Sequence, residues 1–252
     1  MNTDLTDALS KVPQVGLAFW IIKILATTFG ETGGDAVSMS MSLGYLVATA
    51  IFMALFVVAV VLQIAATKFR PFLYWATIIA STTVGTTLAD YADRSLGIGY
   101  LGGTAILAAL LIASLFTWHQ TLGSIDVGSV HTPAAEGFYW LTIMFSQTLG
   151  TALGDWTVDS AGLGYTGAAL IFSGLLLLVV FAYFLSRISH TVLFWAAFVL
   201  TRPLGAVVGD YLDKPAASGG LEFSRYTATG VLLAAIIMLI LLVPQRAAEQ
   251  SH

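Results

Sequence analysis

Cysteine is absent from this 252-residue chain, and charged residues are scarce. Without cysteine there is no disulfide, no thiolate ligand for a metal and no cysteine nucleophile. Charged residues make up 10% of the sequence, against about 25% in an ordinary soluble domain, while 58% of the residues are hydrophobic. A water-soluble fold would leave too much of that apolar surface exposed.

Basic character is also lacking. The formal net charge is −4 and no basic run occurs, so nothing indicates nucleic-acid binding. The N-terminal segment carries Asp4, Asp7 and Lys11 and lacks the pattern of a cleavable signal peptide. We therefore expect the first apolar segment to stay in the protein.

Apolar stretches of about 20 residues, the length that crosses a bilayer, recur along the sequence. They predict an all-α integral membrane protein with about eight transmembrane helices, surrounded by the lipid bilayer and without a separate soluble domain. The predicted spans are Val15–Glu31, Leu43–Ala66, Phe72–Asp90, Ile98–Trp118, Gly137–Asp155, Tyr165–Leu185, Val192–Tyr211 and Tyr226–Val243.

Four segments of the sequence align on tryptophan without a gap, which indicates an internal repeat. Each has an aromatic residue, Trp, nine residues, Gly, four residues and Asp. The segments read FWIIKILATTFGETGGD from Phe19, YWATIIASTTVGTTLAD from Tyr74, YWLTIMFSQTLGTALGD from Tyr139 and FWAAFVLTRPLGAVVGD from Phe194. The shared positions are Trp20, Trp75, Trp140 and Trp195, then Gly30, Gly85, Gly150 and Gly205, then Asp35, Asp90, Asp155 and Asp210.

A weaker match follows each Asp, where a tyrosine opens each even-numbered helix. The unit is therefore two helices, and consecutive units enter the membrane from the same side as parallel repeats. We predict pseudo-four-fold or paired two-fold packing, with the odd-numbered helices inside and the even-numbered helices outside. The tyrosines are Tyr45, Tyr100, Tyr165 and Tyr226. The predicted division is an N-terminal cytoplasmic segment (1–12), a first half with repeats 1 and 2 (13–118), a central loop (119–136), a second half with repeats 3 and 4 (137–244) and a C-terminal tail (245–252).

Basic residues outside the spans are unevenly distributed. Five lie on the side of the N-terminus and three on the other side, which favours both termini in the cytoplasm by the positive-inside rule. The repeated Asp then faces outward. The five are Lys11, Lys68, Arg70, Arg187 and Arg246, and the three are Arg94, Lys214 and Arg225.

The TLG-x4-GD-like signatures of these segments resemble those of a bacterial family of uncharacterised membrane-anchored proteins with a four-copy repeat of unknown function. The resemblance covers nearly the whole chain. It implies a bacterial inner-membrane protein with about this topology, and it implies no settled activity. A function has to come from the residues themselves.

Positions four residues apart share a face of an α-helix, so each repeated Asp can be followed inward along its helix. Most strongly polar residues of the odd-numbered spans fall on this stripe, and membrane helices turn such stripes toward the bundle interior. Around a common axis the stripes predict layers, with the four Asp outermost, then Glu31 with Thr86 and Thr151, then Thr27, Thr82, Gln147 and Arg202, and then Lys23.

These layers favour a path for a small solute or an ion. Rings of acidic side chains concentrate cations, and oxygen ligands suit hard ions such as Mg²⁺, Mn²⁺ or Ca²⁺. With no cysteine, and with histidine confined to loops and the C-terminus, we expect no haem, no soft metal and no cofactor beyond a bound cation. The predicted metal ligands are Asp35, Asp90, Asp155, Asp210 and Glu31.

The repeated residues also have structural interpretations. Because an acid at a helix C-terminus opposes the macrodipole, the Asp could instead end the helix and cap the next turn, or bond the following Tyr. The repeated glycine is expected to permit close helix packing, and the repeated tryptophan to anchor the opposite interface in an aromatic belt.

Lys23, Glu31 and Arg202 depart from the four-fold pattern. A charge near the middle of the membrane is costly unless it is paired or hydrated, so we expect Arg202 to meet Glu31 or an Asp across the bundle. Lys23 and Glu31 share a face of one helix but are too far apart for direct contact. Pro203 predicts a bend beside Arg202.

Transport of an inorganic cation is the leading hypothesis. Because Arg202 and Lys23 would repel a cation, an anionic or zwitterionic organic solute stays open as a substrate. An intramembrane enzyme is not expected, since the GxGD signature of aspartate-dyad proteases is absent and no histidine lies at membrane depth. A membrane scaffold or sensor without a substrate stays open and predicts a closely packed axis without water, and a homo-oligomer also stays open.

Overall fold

The computed structural model describes residues 10–248, and this part of the chain forms eight α-helices, as predicted. An isolated antiparallel bridge joins Pro13 to Ala247, so the two ends of the described chain meet. Of the predicted end segments, residues 1–9 and 249–252 lie outside the described residues. In chain order, α1 to α8 are Leu17–Asp35, Gly44–Ala65, Pro71–Asp90, Tyr100–Leu122, Pro133–Asp155, Gly164–Leu185, His190–Asp213 and Arg225–Leu242.

Six helices in the described range are long and apolar enough to cross a membrane, namely α2, α3, α4, α6, α7 and α8. The other two, α1 and α5, have 19 and 23 residues but carry more polar side chains. Helix α1 contains Lys23, Glu31 and Asp35, and α5 is rich in Thr, Ser and Gln. These polar side chains are mostly buried inside the bundle. They lower the mean hydropathy of α1 and α5, but they do not lie on the outer surface of the bundle.

The odd-numbered helices form a closed ring around one axis. Helix α1 contacts α3, α3 contacts α5, α5 contacts α7, and α7 contacts α1. The even-numbered helices lie outside this ring: 67% of the apolar window of α3 is buried, against 11% of that of α6. The odd-numbered helices therefore lie inside and the even-numbered helices outside, in the arrangement that the polar stripes predicted.

Each even-numbered helix packs against the odd-numbered helix of the next repeat. Helix α2 packs on α3, α4 on α5, α6 on α7, and α8 returns to pack on α1. The short connections between α2 and α3 and between α6 and α7 explain this choice, because short loops make consecutive helices antiparallel neighbours. The two-helix unit of the sequence is thus not the pair that packs in space.

The repeated glycines lie where neighbouring ring helices approach most closely. A Cβ atom added at Gly85 would lie 2.8 Å from the backbone carbon of Gln147 and 2.9 Å from the amide nitrogen of Thr148. The expected role of the glycines in close packing is therefore confirmed. Every ring interface uses the same two positions, which gives the ring pseudo-four-fold symmetry: Gly30 meets Thr82, Gly85 meets Gln147, Gly150 meets Arg202 and Gly205 meets Thr27.

The central loop is shorter than predicted. Helix α4 continues to Leu122 and α5 already begins at Pro133, so residues 123–132 connect them instead of 119–136. Gly123 ends α4 with a φ of 78°, a left-handed conformation that glycine adopts without strain. Thr132 caps α5 by accepting a hydrogen bond of 3.2 Å from the amide of Ala135, and Pro133 suits the first helical turn.

Candidate functional site

The ring brings every predicted path residue into the interior of the bundle. No residue of this set is more than 4% exposed. The set comprises Lys23, Thr27, Glu31 and Asp35 on α1, Thr82, Thr86 and Asp90 on α3, Gln147, Thr151 and Asp155 on α5, and Arg202 and Asp210 on α7. The polar stripes of the four helices therefore do face one another.

Arg202 lies at the centre of a hydrogen-bond network that includes all four ring helices. Its two terminal nitrogens each donate to Oε2 of Glu31 at 3.1 Å. Nη2 also donates to the hydroxyl of Thr86 at 2.6 Å and to that of Thr151 at 2.5 Å. The hydroxyl of Thr86 in turn donates to Glu31 Oε2 at 3.1 Å. The predicted contact between Arg202 and Glu31 is confirmed.

Repeat geometry explains why one arginine reaches three neighbours. Glu31, Thr86 and Thr151 each precede the repeated Asp by four residues, whereas Arg202 precedes Asp210 by eight. The long arginine side chain therefore has to extend toward the C-terminal end of α7, by about one turn, to reach the three acceptors. The fourth residue of their layer is Ala206, whose small side chain leaves the axis to the guanidinium.

The four repeated Asp residues are bridged in pairs by two cationic side chains. Arg94 lies 2.8 Å from Asp90 through Nε and 3.3 Å from Asp155 through Nη2. Lys214 forms ion pairs with Asp35 and, at 3.0 Å, with Asp210. Each cation bridges two adjacent ring helices, so the Asp layer has two-fold rather than four-fold symmetry.

A fifth carboxylate joins this end of the axis. Asp213 pairs with Arg225 at 2.7 Å, and Arg225 also lies 3.9 Å from Asp35. We define the acidic layer as Asp35, Asp90, Asp155, Asp210 and Asp213. Burial alone would lower the pKa of Lys214, but the carboxylates of Asp210, Asp35 and Asp213 raise it well above its ordinary value, so Lys214 holds its proton.

The predicted metal ligands do not come together as one ring. Glu31 binds Arg202, and Asp90 and Asp155 bind Arg94. Within residues 10–248, the carboxylates that lie close enough for a shared ion are those of Asp35, Asp210 and Asp213, whose oxygens lie within 4.8 Å of one another. The ring of free carboxylates predicted from the sequence is therefore wrong, because Arg94 and Lys214 pair with the four Asp residues.

The repeated Asp does not cap a following turn. In the first three repeats the helix continues past Asp35, Asp90 and Asp155 into a π-helical turn, and none of the three side chains makes a capping hydrogen bond. In the fourth repeat, α7 continues past Asp210 to Asp213. The capping interpretation is therefore wrong, and the carboxylates are directed to ion pairs. Single π-helical turns are frequent at functional sites.

Lys23 occupies a different environment from the other charges. Its Nζ has no hydrogen-bond partner and lies 4.1 Å from the ring centroid of Phe198. The other residues at the same repeat position are Ile78, Ile143 and Phe198, and all four side chains are fully buried. Arg202 lies one helical turn nearer the acidic layer, and Glu31 two turns nearer. Lys23 is thus a basic side chain in an apolar layer of the axis.

Aromatic rings close the axis at the opposite end. The first aromatic residue of each repeat packs against the tryptophan of the next, at centroid distances of 5.4 to 6.1 Å. The four pairs are Phe19 with Trp75, Tyr74 with Trp140, Tyr139 with Trp195, and Phe194 with Trp20. Trp75, Trp140 and Trp195 are buried, so the predicted aromatic belt at the lipid interface is wrong.

Two hydroxyl groups lie within this aromatic closure. Tyr74 and Tyr139, each sixteen residues before its repeated Asp, share a buried hydrogen bond of 2.6 Å. Either oxygen can donate. The polar stripe therefore continues one turn beyond the layer of Lys23, which was the last layer predicted from the sequence.

Comparison with protein families identifies the repeat. A family model described as Repeat of Unknown Function (DUF347) matches four times, over residues 18–69, 73–123, 138–189 and 193–247. The chain belongs to this family. Each DUF347 repeat contains one Trp, Gly and Asp set and the even-numbered helix that follows, so the predicted four-copy family is confirmed. No curated protein and no solved structure matches the chain.

The DUF347 repeats differ in whether they supply a bridging cation. In the second and fourth repeats a basic residue, Arg94 or Lys214, follows the Asp by four positions, while Met39 and Asp159 stand there in the first and third. Residues four apart on a helix are neighbours, so this spacing is a signal that could have identified both bridges from the sequence.

A cavity of about 590 Å³ lies outside the ring, between α1, α6 and α7. Mostly apolar side chains line it, including Trp20 and Leu193. In the second DUF347 repeat Trp118 packs against Tyr139 and Trp195, whereas its counterpart in the third, Tyr183, stacks on His190 beside the cavity. The cavity is therefore an irregularity of the outer layer, separate from the polar axis.

Proposed function

We propose that the protein transports a small hard cation along the axis of the odd-numbered helices in the bacterial inner membrane. The observation that carries this proposal is the acidic layer at one end of the axis. Its five carboxylates face three cationic side chains, Arg94, Lys214 and Arg225, so the layer has a formal excess of negative charge. Acidic groups at a pore mouth concentrate cations.

All eight helices span the membrane in this proposal. Helices α1 and α5 can do so because their polar faces are directed at the axis and the outer helices cover the ring. The bridge between Pro13 and Ala247 keeps the two ends of the described chain on one side, which fits both termini in the cytoplasm. The acidic layer then opens outward.

Lys214 acts in this proposal as a tethered cation that a free ion replaces. Its ammonium lies between the carboxylates of Asp35 and Asp210. A carboxylate oxygen of Asp213 lies within 4.8 Å of an oxygen of each of these two residues. Hard cations bind such carboxylate oxygens. Lys214 follows the end of α7 and begins the connection to α8, so movement of this connection could release the carboxylates without unfolding the ring.

A carrier fits the closed axis better than an open channel. The aromatic rings fill one end, and the pair of Arg202 and Glu31 crosses the middle. Passage therefore requires the ring helices to move. Pro203 lies inside α7 beside Arg202, and proline removes a backbone hydrogen bond at such a position, which favours bending there.

Unsatisfied polar atoms argue against a purely structural axis. Lys23 Nζ, Thr82 Oγ1, Ser146 Oγ, Gln147 Oε1 and Arg202 Nε are buried without a hydrogen-bond partner. Buried polar groups of a structural core are normally satisfied, and unsatisfied ones indicate water, an ion or a functional role. Their position on the axis favours hydration or a bound ion there over a dry, fully packed scaffold.

Transport by purified protein in liposomes tests the proposal. We expect uptake of at least one of Mn²⁺, Mg²⁺ and Ca²⁺, and we expect Asp210→Asn to lower the initial rate about 10-fold or more because a ligand oxygen loses its charge. Asp159→Asn is the matched control, since Asp159 is exposed and outside the acidic layer. Unchanged uptake in Asp210→Asn would contradict a role for the layer.

Lys214→Met tests whether a free cation can take the place of the Lys214 ammonium, or whether Lys214 only forms structural ion pairs. Without the tethered ammonium, the protein should be less stable when no cation is present and should regain stability on addition of the transported cation, because binding to the folded state stabilises it. Lys68→Met, at an exposed position, should show neither effect. A variant that stays destabilised at saturating cation would contradict the replacement.

An anionic or zwitterionic organic solute remains the second candidate, because Lys23 and Arg202 place two cationic groups on the axis against the single carboxylate of Glu31. Uptake of organic anions with no uptake of metal ions would favour it. The variant Ala197→Phe narrows the outer cavity, so it tests whether the solute passes through that cavity or along the axis. Loss of uptake in Ala197→Phe with full uptake in Asp210→Asn would show that the solute passes outside the ring.

A further inference from the structure

Lys23 is a buried basic side chain that takes part in none of the ion pairs of the axis. It is fully buried, and its Nζ has no hydrogen-bond partner. A structural cation inside a bundle is normally paired, as Arg202 is with Glu31 and Lys11 is with Glu136 at 2.6 Å. Lysine, unlike arginine, readily gives up its proton in such surroundings.

The charged and titratable groups in the layers next to Lys23 come from three other ring helices. Helix α7 places the ring of Phe198 4.1 Å from Nζ and Arg202 one turn nearer the acidic layer, and Tyr74 of α3 and Tyr139 of α5 lie one turn on the other side. Helix α8 has no charged residue after Arg225 at its start, and on α1 itself the nearest charge is Glu31. The nearest charged group from another helix is therefore a cation, whose own counter-charge is Glu31.

This arrangement links the acidic layer to Lys23 by electrostatics alone. While Glu31 accepts two hydrogen bonds from Arg202, the guanidinium is compensated. A cation that enters from the acidic layer attracts Glu31 and leaves Arg202 less compensated. The positive charge of Arg202 then disfavours an ammonium at Lys23, one turn further along the axis, and a proton leaves.

We propose that Lys23 carries the proton that this protein exchanges for its cation, so that the coupling ion is H⁺. In one cycle the ammonium of Lys23 becomes an amine and releases one proton to the side from which the cation binds, and the amine takes up one proton from the opposite side after the cation has left to that side. The hydroxyl pair of Tyr74 and Tyr139, one turn beyond Lys23, offers donors and acceptors toward the aromatic end. This inference rests on the proposed cation transport.

Two substitutions separate the proton from the charge. Lys23→Met imitates the neutral amine in shape and cannot bind a proton, while Lys23→Arg keeps a charge that cannot be removed. Lys68→Met removes an exposed lysine as the matched control. In liposomes, a pH gradient should drive cation accumulation by the parent protein and by Lys68→Met, and both Lys23 variants should lose this accumulation.

Cation exchange without a pH gradient gives the second readout. Lys23→Met should still exchange labelled for unlabelled cation across the liposome membrane, because the acidic layer is intact, whereas Lys23→Arg should lose exchange as well. Full gradient-driven accumulation by Lys23→Met would overturn the inference while leaving cation transport standing. Absence of cation exchange by the parent protein would instead overturn the proposed function.

Proton release on cation binding tests the inference without transport. The detergent-purified protein is titrated with the cation that it transports, in weak buffer with a pH-sensitive dye. We expect one proton released per cation bound by the parent protein and by Lys68→Met, and none by Lys23→Met. No release from the parent protein, or unchanged release from Lys23→Met that elutes and melts as a folded protein, would overturn the inference.

Discussion

The pair of Arg202 and Glu31 permits a quantitative test of the axis. Both side chains are buried, at 0% and 4% exposure. Removal of one member of a buried ion pair typically costs about 3–5 kcal/mol, because the other charge is left without compensation. Each single neutral variant should therefore be strongly destabilised.

The two single variants should differ in a predictable direction. In Arg202→Gln the carboxylate of Glu31 keeps only the hydroxyl of Thr86 as a donor, so we expect about 4–5 kcal/mol. In Glu31→Gln the guanidinium keeps the hydroxyls of Thr86 and Thr151 and can donate to the new amide oxygen, so we expect about 3 kcal/mol. The double variant should recover about 2 kcal/mol relative to the sum, because neither charge remains.

Reversible unfolding in mixed micelles measures all four corners of this cycle. Arg202→Gln combined with Glu136→Gln is the control, since Glu136 pairs with Lys11 and makes no contact with Arg202. That control should be additive within about 0.5 kcal/mol. Additive losses for Arg202→Gln with Glu31→Gln would refute the direct pair and the layering built on it. Recovered stability with lost cation uptake would show that the pair serves transport beyond folding.

Two further predictions concern packing. Gly85→Ala should cost about 1–3 kcal/mol, because the added Cβ would lie 2.8 Å from backbone of Gln147, while Gly174→Ala on the outer face of α6 has nothing within 4 Å and should be neutral or slightly stabilising in the same unfolding assay. Trp140→Ala should cost about 3–5 kcal/mol because Trp140 is buried in the aromatic closure, while Phe184→Ala, at 75% exposure, should change the free energy of unfolding by well under 1 kcal/mol in detergent. Equal losses for the buried and exposed members of either comparison would contradict the arrangement of the ring.

The polar stripe and its central ion pair were predictable from the sequence for a simple physical reason. Helical periodicity determines which residues share a face. Because lipid cannot solvate a charge, Glu31 and Arg202 were expected to face the bundle interior and to form an ion pair there. The same periodicity would have shown Arg94 and Lys214 beside their Asp residues, had the stripe been followed outward as well as inward.

Other features depend on relations between helices that one sequence does not encode. Trp140 fits an interfacial belt and a buried aromatic cluster equally well, because both occur near a helix end. The sequence repeat also does not predict that α2 packs on α3 instead of on α1. An alignment of the four copies shows equivalent positions, but it does not show which copies are in contact. Only the closure of the ring decides both questions.

The four contacts between an outer helix and the next ring helix form a closed cycle in which all four positions are equivalent. Because α8 packs on α1 in the same way that α2 packs on α3, the two ends of the described range, Ser10 and Ala248, lie at a joint that is equivalent to the other three. The strand-like bridge of Pro13 and Ala247 already brings the two ends together, and residues 123–132 lie at the corresponding joint between the halves. A circularly permuted chain that starts in that loop and joins the present ends by a short linker would therefore contain the same four interfaces. It also follows that neither half has a complete outer layer by itself, since the last outer helix of each covers the first ring helix of the other.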